Sequence, residues 1–145
     1  EKEKMTLKGM RFLIADDNDL NAEILEELLK MEGADCDRAV NGKEAVEMFA
    51  RAEEGRYNII LMDIKMPVMN GYDATRAIRR STHELAKTIP IIAMTANAFS
   101  EDIQYSLAAG MNAHISKPVD MKTLEKTIRR IKIGGRGTET QAIEQ

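Results

Sequence analysis

The sequence predicts an α/β domain, a parallel β-sheet with helices on both faces, and two observations carry that prediction. Three short runs, Arg11-Phe12-Leu13-Ile14-Ala15, Asn58-Ile59-Ile60-Leu61-Met62 and Ile89-Pro90-Ile91-Ile92-Ala93-Met94, are too short for typical helices and apolar on both alternating faces. They read as central strands covered on two sides. Between them apolar residues recur every three or four positions, the spacing of one helix face. Strand and helix therefore alternate from end to end, which calls for right-handed crossovers and parallel strands.

In chain order, the first strand precedes a helical pattern of Leu20, Ile24 and Leu28 with Leu25 and Leu29. The stretch from Ala34 to Val40 mixes polar and apolar residues, as an edge strand does. Ala45, Val46, Phe49 and Ala52 mark the next helix, Ala74, Ala77 and Ile78 the one after the strand at 58–62, and Ile103 with Leu107 the one after the strand at 89–94. Ala113 to Ser116 reads as a second edge strand, and Met121, Leu124, Ile128 and Ile131 as a last helix. Asn41-Gly42 and Asn70-Gly71 are each followed by helical spacing, so they read as loops entering helices and not as hairpins. Gly33 and Gly110 fit helix C-terminal stops.

With 145 residues, 43% hydrophobic and 31% charged, the chain has the size and composition of one domain. Its single cysteine, Cys36, excludes an intrachain disulfide and is compatible with a reducing cytoplasm. A net charge of −3 argues against general affinity for nucleic acid or anionic membrane. No apolar run approaches the roughly 20 residues that cross a bilayer. Residues 1–9 read as a charged lead-in and 134–145 as a flexible Gly-, Thr- and Gln-rich tail, leaving 10–133 as the folded domain. A first residue other than Met points to processing or excision from something longer.

Ligands of an open parallel sheet bind beyond the carboxyl ends of its strands. Those ends carry Asp16-Asp17-Asn18-Asp19, Asp63, Thr95 and Lys117-Pro118. Crowded carboxylates repel one another unless a cation joins them. Oxygen ligands without His or Cys suit Mg²⁺, which commonly uses one or two carboxylates together with phosphate oxygens, and not zinc. Lys117 offers a mobile charge for a phosphoryl oxygen and Thr95 a hydroxyl. Asp63, alone at the end of the central strand, is the candidate nucleophile for an acyl phosphate.

The ordered set Asp16-Asp17, Leu61-Met62-Asp63 with Met66-Pro67 and Asn70-Gly71, Met94-Thr95-Ala96 and Lys117-Pro118 closely resembles the receiver domain of two-component response regulators, from about Met10 to Ile133. The resemblance implies a flavodoxin-like, doubly wound, five-stranded parallel sheet in order 2-1-3-4-5. It implies that Asp63 takes a phosphoryl group from a phosphohistidine on a histidine kinase or histidine phosphotransfer domain. Asp17, Asp63 and the backbone carbonyl of Lys65 would ligate Mg²⁺, with Asp16 acting largely through water. Lys117 would pair with Asp63 and then with the phosphoryl group, toward which Thr95 swings, and Lys117-Pro118 would be a cis peptide. Such a domain catalyses its own phosphorylation and dephosphorylation and changes shape at the fourth helix and fifth strand. One position departs from the family: three residues before the lysine, where Tyr or Phe is usual in the switch, stands His114, an imidazole that can charge near neutral pH.

The stretches Leu7-Lys8-Gly9-Met10 and Met94-Thr95-Ala96-Asn97-Ala98 look like hybrid sensor histidine kinase receivers, with a stand-alone single-domain regulator as the alternative. Lys65 and Asn97 lie where they would shield an attacking water, and a homodimer through the fourth helix, fifth strand and fifth helix is a further expectation. A phosphohydrolase of haloacid dehalogenase type also uses an Asp nucleophile and Mg²⁺, but it usually has a second Asp two residues on, where this chain has Lys65. Other residues read as structural: Asp19 as the first helix's N-cap, the ten Met as core filler, Cys36 as a half-buried edge residue, and His83 as a loop side chain. Arg79-Arg80 and Arg129-Arg130 read as solvated helix ends.

Overall fold

In the computed structural model of the chain, residues 7–96 and 100–136 are described, the side chains of 100–102 and 132–136 excepted. The elements run β1 (Arg11–Ala15), α1 (Asp19–Met31), β2 (Asp35–Ala39), α2 (Gly42–Arg51), β3 (Ile59–Asp63), α3 (Gly71–Arg80), β4 (Ile91–Thr95), α4 (Ser100–Ala109), β5 (Ala113–Ser116) and α5 (Met121–Arg136). The strands form one sheet in the order β2-β1-β3-β4-β5, with every neighbouring pair parallel. This is the predicted flavodoxin-like arrangement, with β2 and β5 at the edges.

Double-sided burial explains the continuous apolar runs. All five residues of β3 and of β4 are buried, and alternate side chains enter two separate cores. Leu13, Ile60, Met62, Ile91 and Ala93 join Phe49 and Ile78 on one face. Phe12, Ile14, Ile59, Leu61, Ile92 and Met94 join Leu29, Leu124 and Ile128 on the other. Leu7, in the segment read as a lead-in, is wholly buried in this second core. Helix α5 continues to Arg136, past the expected domain end at 133. Residues 1–6 and 137–145 of the expected lead-in and tail, and Asn97, lie outside the described residues.

Several expectations need correction. The fourth strand begins at Ile91, because Ile89 N–H is committed to Leu85 O in a turn and Pro90 has no N–H to give. Asn18, not Asp19, caps α1: its backbone is extended and its side chain accepts from Asn21 N–H. Asp19 is already helical and pairs with Arg38 at 2.8 Å. Leu20 and Ile24 share the helical spacing but are 65% and 51% exposed, because Ala22, Leu25 and Leu29 form the face turned to the sheet. Of the methionines, Met62, Met94 and Met111 are core residues, whereas Met31 is exposed.

Arg79 is not a solvated helix end. Its guanidinium donates to the carbonyls of Gly110, Ala86 and Ile89 and to Asn112 Oδ1, at 2.8 to 3.0 Å. Burial lowers its pKa, and the acceptors tie α3 to the α4–β5 turn. His83 is likewise structural: its ring lies 4.3 Å from that of Phe49, Nε2 meets Ala52 O at 2.9 Å and Nδ1 accepts from Leu85 N–H. Cys36 is half-buried as expected, and burial, with Glu26 and Asp37 nearby, pushes its thiol up to about 11.

Candidate functional site

Parallel pairing brings the carboxyl ends of β1, β3 and β4 to one edge of the sheet. Asp63 is the last residue of β3, paired with Met94, and Thr95 is the last residue of β4, paired with Ser116. Both strands extend one residue beyond their apolar runs, so each chemical side chain is held by the sheet and not by a loop. Asp16 follows β1 directly, its N–H donating to Ala39 O at 3.1 Å.

The β1–α1 loop is fixed from two directions. Asp16 Oδ1 accepts from Asn18 N–H at 2.9 Å, and Arg38 on β2 donates to the Asp16 carbonyl at 2.8 and 3.1 Å while pairing with Asp19. Sequence reasoning missed Arg38. The available signal was a cation near the end of an edge strand, two residues short of the level at which the acidic loop begins.

The β3–α3 loop is fixed by close packing. Asn70 caps α3 and Asn41 caps α2, each accepting from the backbone N–H three residues on. Gly71 N–H donates to Ile64 O at 2.8 Å and Gly42 N–H to Met69 O at 3.0 Å. A Cβ on Gly71 would stand 2.2 Å from the Asp63 carbonyl, and one on Gly42 2.2 Å from that of Met69. The two Asn-Gly pairs thus combine a cap with a space requirement.

Carboxylate oxygens of Asp16, Asp17 and Asp63 all lie within 4.8 Å of one another. Asp16 and Asp63 are buried, while Asp17 faces solvent. Lys117 follows β5, ahead of a cis peptide to Pro118, and its N–H donates to Thr95 O at 2.9 Å. Its Nζ donates to Asp63 Oδ2 at 3.0 Å and lies 3.9 Å from Asp16 Oδ2. Burial pushes the Asp63 carboxyl up, the Lys117 hydrogen bond and charge pull it down, and Asp16 and Asp17 push it up again; the balance is upward. One ammonium therefore leaves three carboxylates short of positive charge. The donors are hard oxygens with no His or Cys among them, so the set fits Mg²⁺. Lys65 is exposed beside this group, Thr95 is buried at 8% exposure, and His114 of β5, paired with Ala93 of β4, is partly buried.

A 2-1-3-4-5 parallel sheet with an acidic group that could hold a divalent cation at its carboxyl edge defines the flavodoxin-like fold class. More specifically, residues 12–129 match the family described as response regulator receiver domain, and the chain belongs to that family. It is 38% identical over 133 residues to hybrid signal transduction histidine kinase G of Dictyostelium discoideum, covering 90% of this chain and 4% of that protein. Solved structures agree. The receiver domain of sensor histidine kinase PA1611 from Pseudomonas aeruginosa, with a magnesium ion coordinated in the active site cleft, is 38% identical with a TM-score of 0.74, over 84% of this chain and 96% of that one. The receiver domain of histidine kinase CKI1 from Arabidopsis thaliana, complexed with Mg²⁺ and BeF₃⁻, is 30% identical with a TM-score of 0.76, over 87% and 91%. The domain is thus a receiver of the two-component phosphorelay type, similar to those of hybrid histidine kinases, with an acidic group that could hold Mg²⁺ as the metal-bound neighbours do, and the haloacid dehalogenase reading has no support.

Proposed function

We propose that Asp63 is the phosphoacceptor. The observation that carries this is a buried carboxylate at the end of the central strand, 3.0 Å from one ammonium and within 4.8 Å of two further carboxylates. An Asp63 oxygen attacks the phosphorus of a phosphohistidine. As the O–P bond forms, the N–P bond breaks, and its electron pair returns to the imidazole, which takes its proton from solvent. Asp16, Asp17, Asp63 and the Lys65 carbonyl would hold Mg²⁺, which when bound supplies positive charge to the phosphoryl oxygens. Lys117, already at the site, releases Asp63 and follows the new charge. Thr95 donates its hydroxyl to the same group. Water later cleaves the acyl phosphate, with Lys65 at its approach.

The phosphodonor belongs to a histidine kinase or a histidine phosphotransfer domain. We assign the chain to a hybrid sensor histidine kinase and place it in the cytoplasm, where the thiol of Cys36 stays reduced; no helix among the described residues is long and apolar enough to cross a membrane. A net charge of −3 supports a domain that binds no nucleic acid itself. Phosphorylation shifts a population at α4 and β5, with His114 in place of the usual aromatic switch, and exposed Tyr105 and Leu107 on α4 support a homodimer contact through α4, β5 and α5. The test is an intact-mass assay with acetyl phosphate. One phosphoryl group should be added only when Mg²⁺ is present, and none to Asp63→Asn. No adduct on the folded chain under any condition refutes the assignment.

A further inference from the structure

Arg38 stands on edge strand β2 and reaches across to the acidic loop that follows β1. Its Nε and Nη2 donate to one acceptor, the Asp16 carbonyl, at 3.1 and 2.8 Å, while Nη1 pairs with Asp19 Oδ1 at 2.8 Å. The guanidinium is planar and rigid, so these contacts from a single fork hold the two ends of the segment 16–19 together. The backbone beside it acts on the same residue: Ala39 O accepts Asp16 N–H at 3.1 Å. Two consecutive residues of β2 thus hold Asp16 on both sides of its Cα. The Asp16 carbonyl belongs to the rigid peptide plane that carries Asp17, so fixing that oxygen constrains where the Asp17 side chain leaves the backbone.

The loop is under electrostatic load. Asp16, Asp17 and Asp63 bring carboxylate oxygens within 4.8 Å of one another, and of the three only Asp17 is exposed. Asp63 is held by the sheet and Asp16 by its backbone and by Asn18 N–H, so the like charges separate most readily by swinging Asp17 into solvent. Arg38 opposes that movement through the backbone. Its own charge is met by Asp19; the Arg38 side chain is 19% exposed and that of Asp19 91%. The fork therefore brings geometry to the site with little net charge. A ligand set already in place loses less freedom when a metal arrives.

We propose that Arg38 is a positioning residue for the metal, setting Mg²⁺ affinity by holding the Asp16–Asp17 peptide against the repulsion of the carboxylates. The proposal rests on the Mg²⁺ site proposed above. Its test is a Mg²⁺ titration of the folded chain followed by the amide NMR shifts of residues 16–19, on the parent, Arg38→Met, Arg38→Lys and Asp19→Asn, with melting in chelator as the separate measure of stability. Arg38→Met and Arg38→Lys should each raise the Mg²⁺ dissociation constant about tenfold, the usual effect of removing a group that orients a ligand, since lysine keeps the charge but not the fork. Asp19→Asn leaves both bonds to the carbonyl and should stay within about threefold of the parent. A charge effect alone reads the other way: Arg38→Met would bind Mg²⁺ more tightly and Arg38→Lys would match the parent, and that pattern overturns the proposal. So does a lower melting temperature with an unchanged dissociation constant, the result of a purely structural role. If Arg38→Met does not fold, Arg38→Lys carries the same decision. A parent chain whose shifts ignore Mg²⁺ sinks the metal site itself, whereas a parent and variants that bind equally sink only the clamp.

Discussion

Replacing Asp63 by Asn should stabilise the metal-free chain. At an effective dielectric of about 20, each unit-charge pair at 4.8 Å repels by ~3.5 kcal/mol, and the ion pair with Lys117 at 3.0 Å attracts by ~5.5 kcal/mol. Two repulsions would exceed one attraction by ~1.5 kcal/mol. Solvent screening of exposed Asp17 reduces that excess, and the burial of Asp63 adds to it. Asparagine keeps an acceptor for Lys117 while removing the charge, so a gain of about 1–2 kcal/mol is expected, or roughly 3–6 °C in melting temperature for a domain of this size.

The pH dependence has a definite sign. In the fold Asp63 holds its proton more tightly than at its ordinary value of 3.8, so the native state binds more protons than the unfolded one in that window, and this group's contribution makes stability fall as pH rises through it. The advantage of Asp63→Asn is therefore full at neutral pH and vanishes below the ordinary value. Metal adds the opposite sign. At tenfold its dissociation constant, Mg²⁺ stabilises the parent by about 1.4 kcal/mol through mass action, and the variant, having lost a ligand, responds less. Thermal melts of both proteins in chelator and in Mg²⁺, at pH 7 and in acid, measure all of this. An Asn variant that melts below the parent without metal, or gains equally from Mg²⁺, refutes the electrostatic account of the site.

Lys117→Met should leave the chain folded but slow labelling by acetyl phosphate about 100-fold, the usual loss when one donor to a developing oxyanion is removed; single-turnover mass spectrometry reads the rate. Gly71→Ala should cost about 2 kcal/mol in urea unfolding, since its Cβ meets the Asp63 carbonyl at 2.2 Å, and should depress labelling because the backbone that must yield belongs to the nucleophile. Arg79→Met should cost about 3 kcal/mol by orphaning the carbonyls of Ala86, Ile89 and Gly110, while Asn112 Oδ1 keeps the N–H of Ile91. Its labelling below the melting transition should match the parent, because these contacts lie in the α3–β4 segment and the α4–β5 turn and not at the acidic edge.

The central fold and the acidic group were legible because both depend on residue type at a regular period. Strands buried on two faces leave continuous apolar runs, and strand ends sit at one edge whatever the loops do. Asp16, Asp17, Asp63 and Lys117 converge for that reason, from segments separated by up to 101 positions. What was not legible depends on a single geometry that several residue types share. Asn18 and Asp19 are both good caps, and only the extended backbone of Asn18 decides between them. Arg79 and Arg80 are adjacent arginines at one helix end, yet a 100° step sends one guanidinium onto four acceptors and the other to solvent. Arg38 acts through a backbone carbonyl, a partner that carries no signal in sequence.

The quality of packing differs between the two flanks of the site in a way that bears on signalling. On the α2–α3 flank the loop carbonyls of Ile64 and Met69 are taken by backbone donors, both helices are capped by asparagine, and glycine leaves no slack for movement. On the α3–α4 flank Thr75 Oγ1 and Ser106 Oγ are buried without hydrogen-bond partners among the described residues, each a local cost of about 1–3 kcal/mol, and Tyr105 and Leu107 remain exposed. A small displacement of α4 that gave either hydroxyl a partner would recover part of that cost. A displacement of α2 or α3 would lose hydrogen bonds already made. On the proposal that Asp63 is the phosphoacceptor, charge arriving there would act on a structure whose second flank has less to lose by moving, which favours a two-state element on the α4 side.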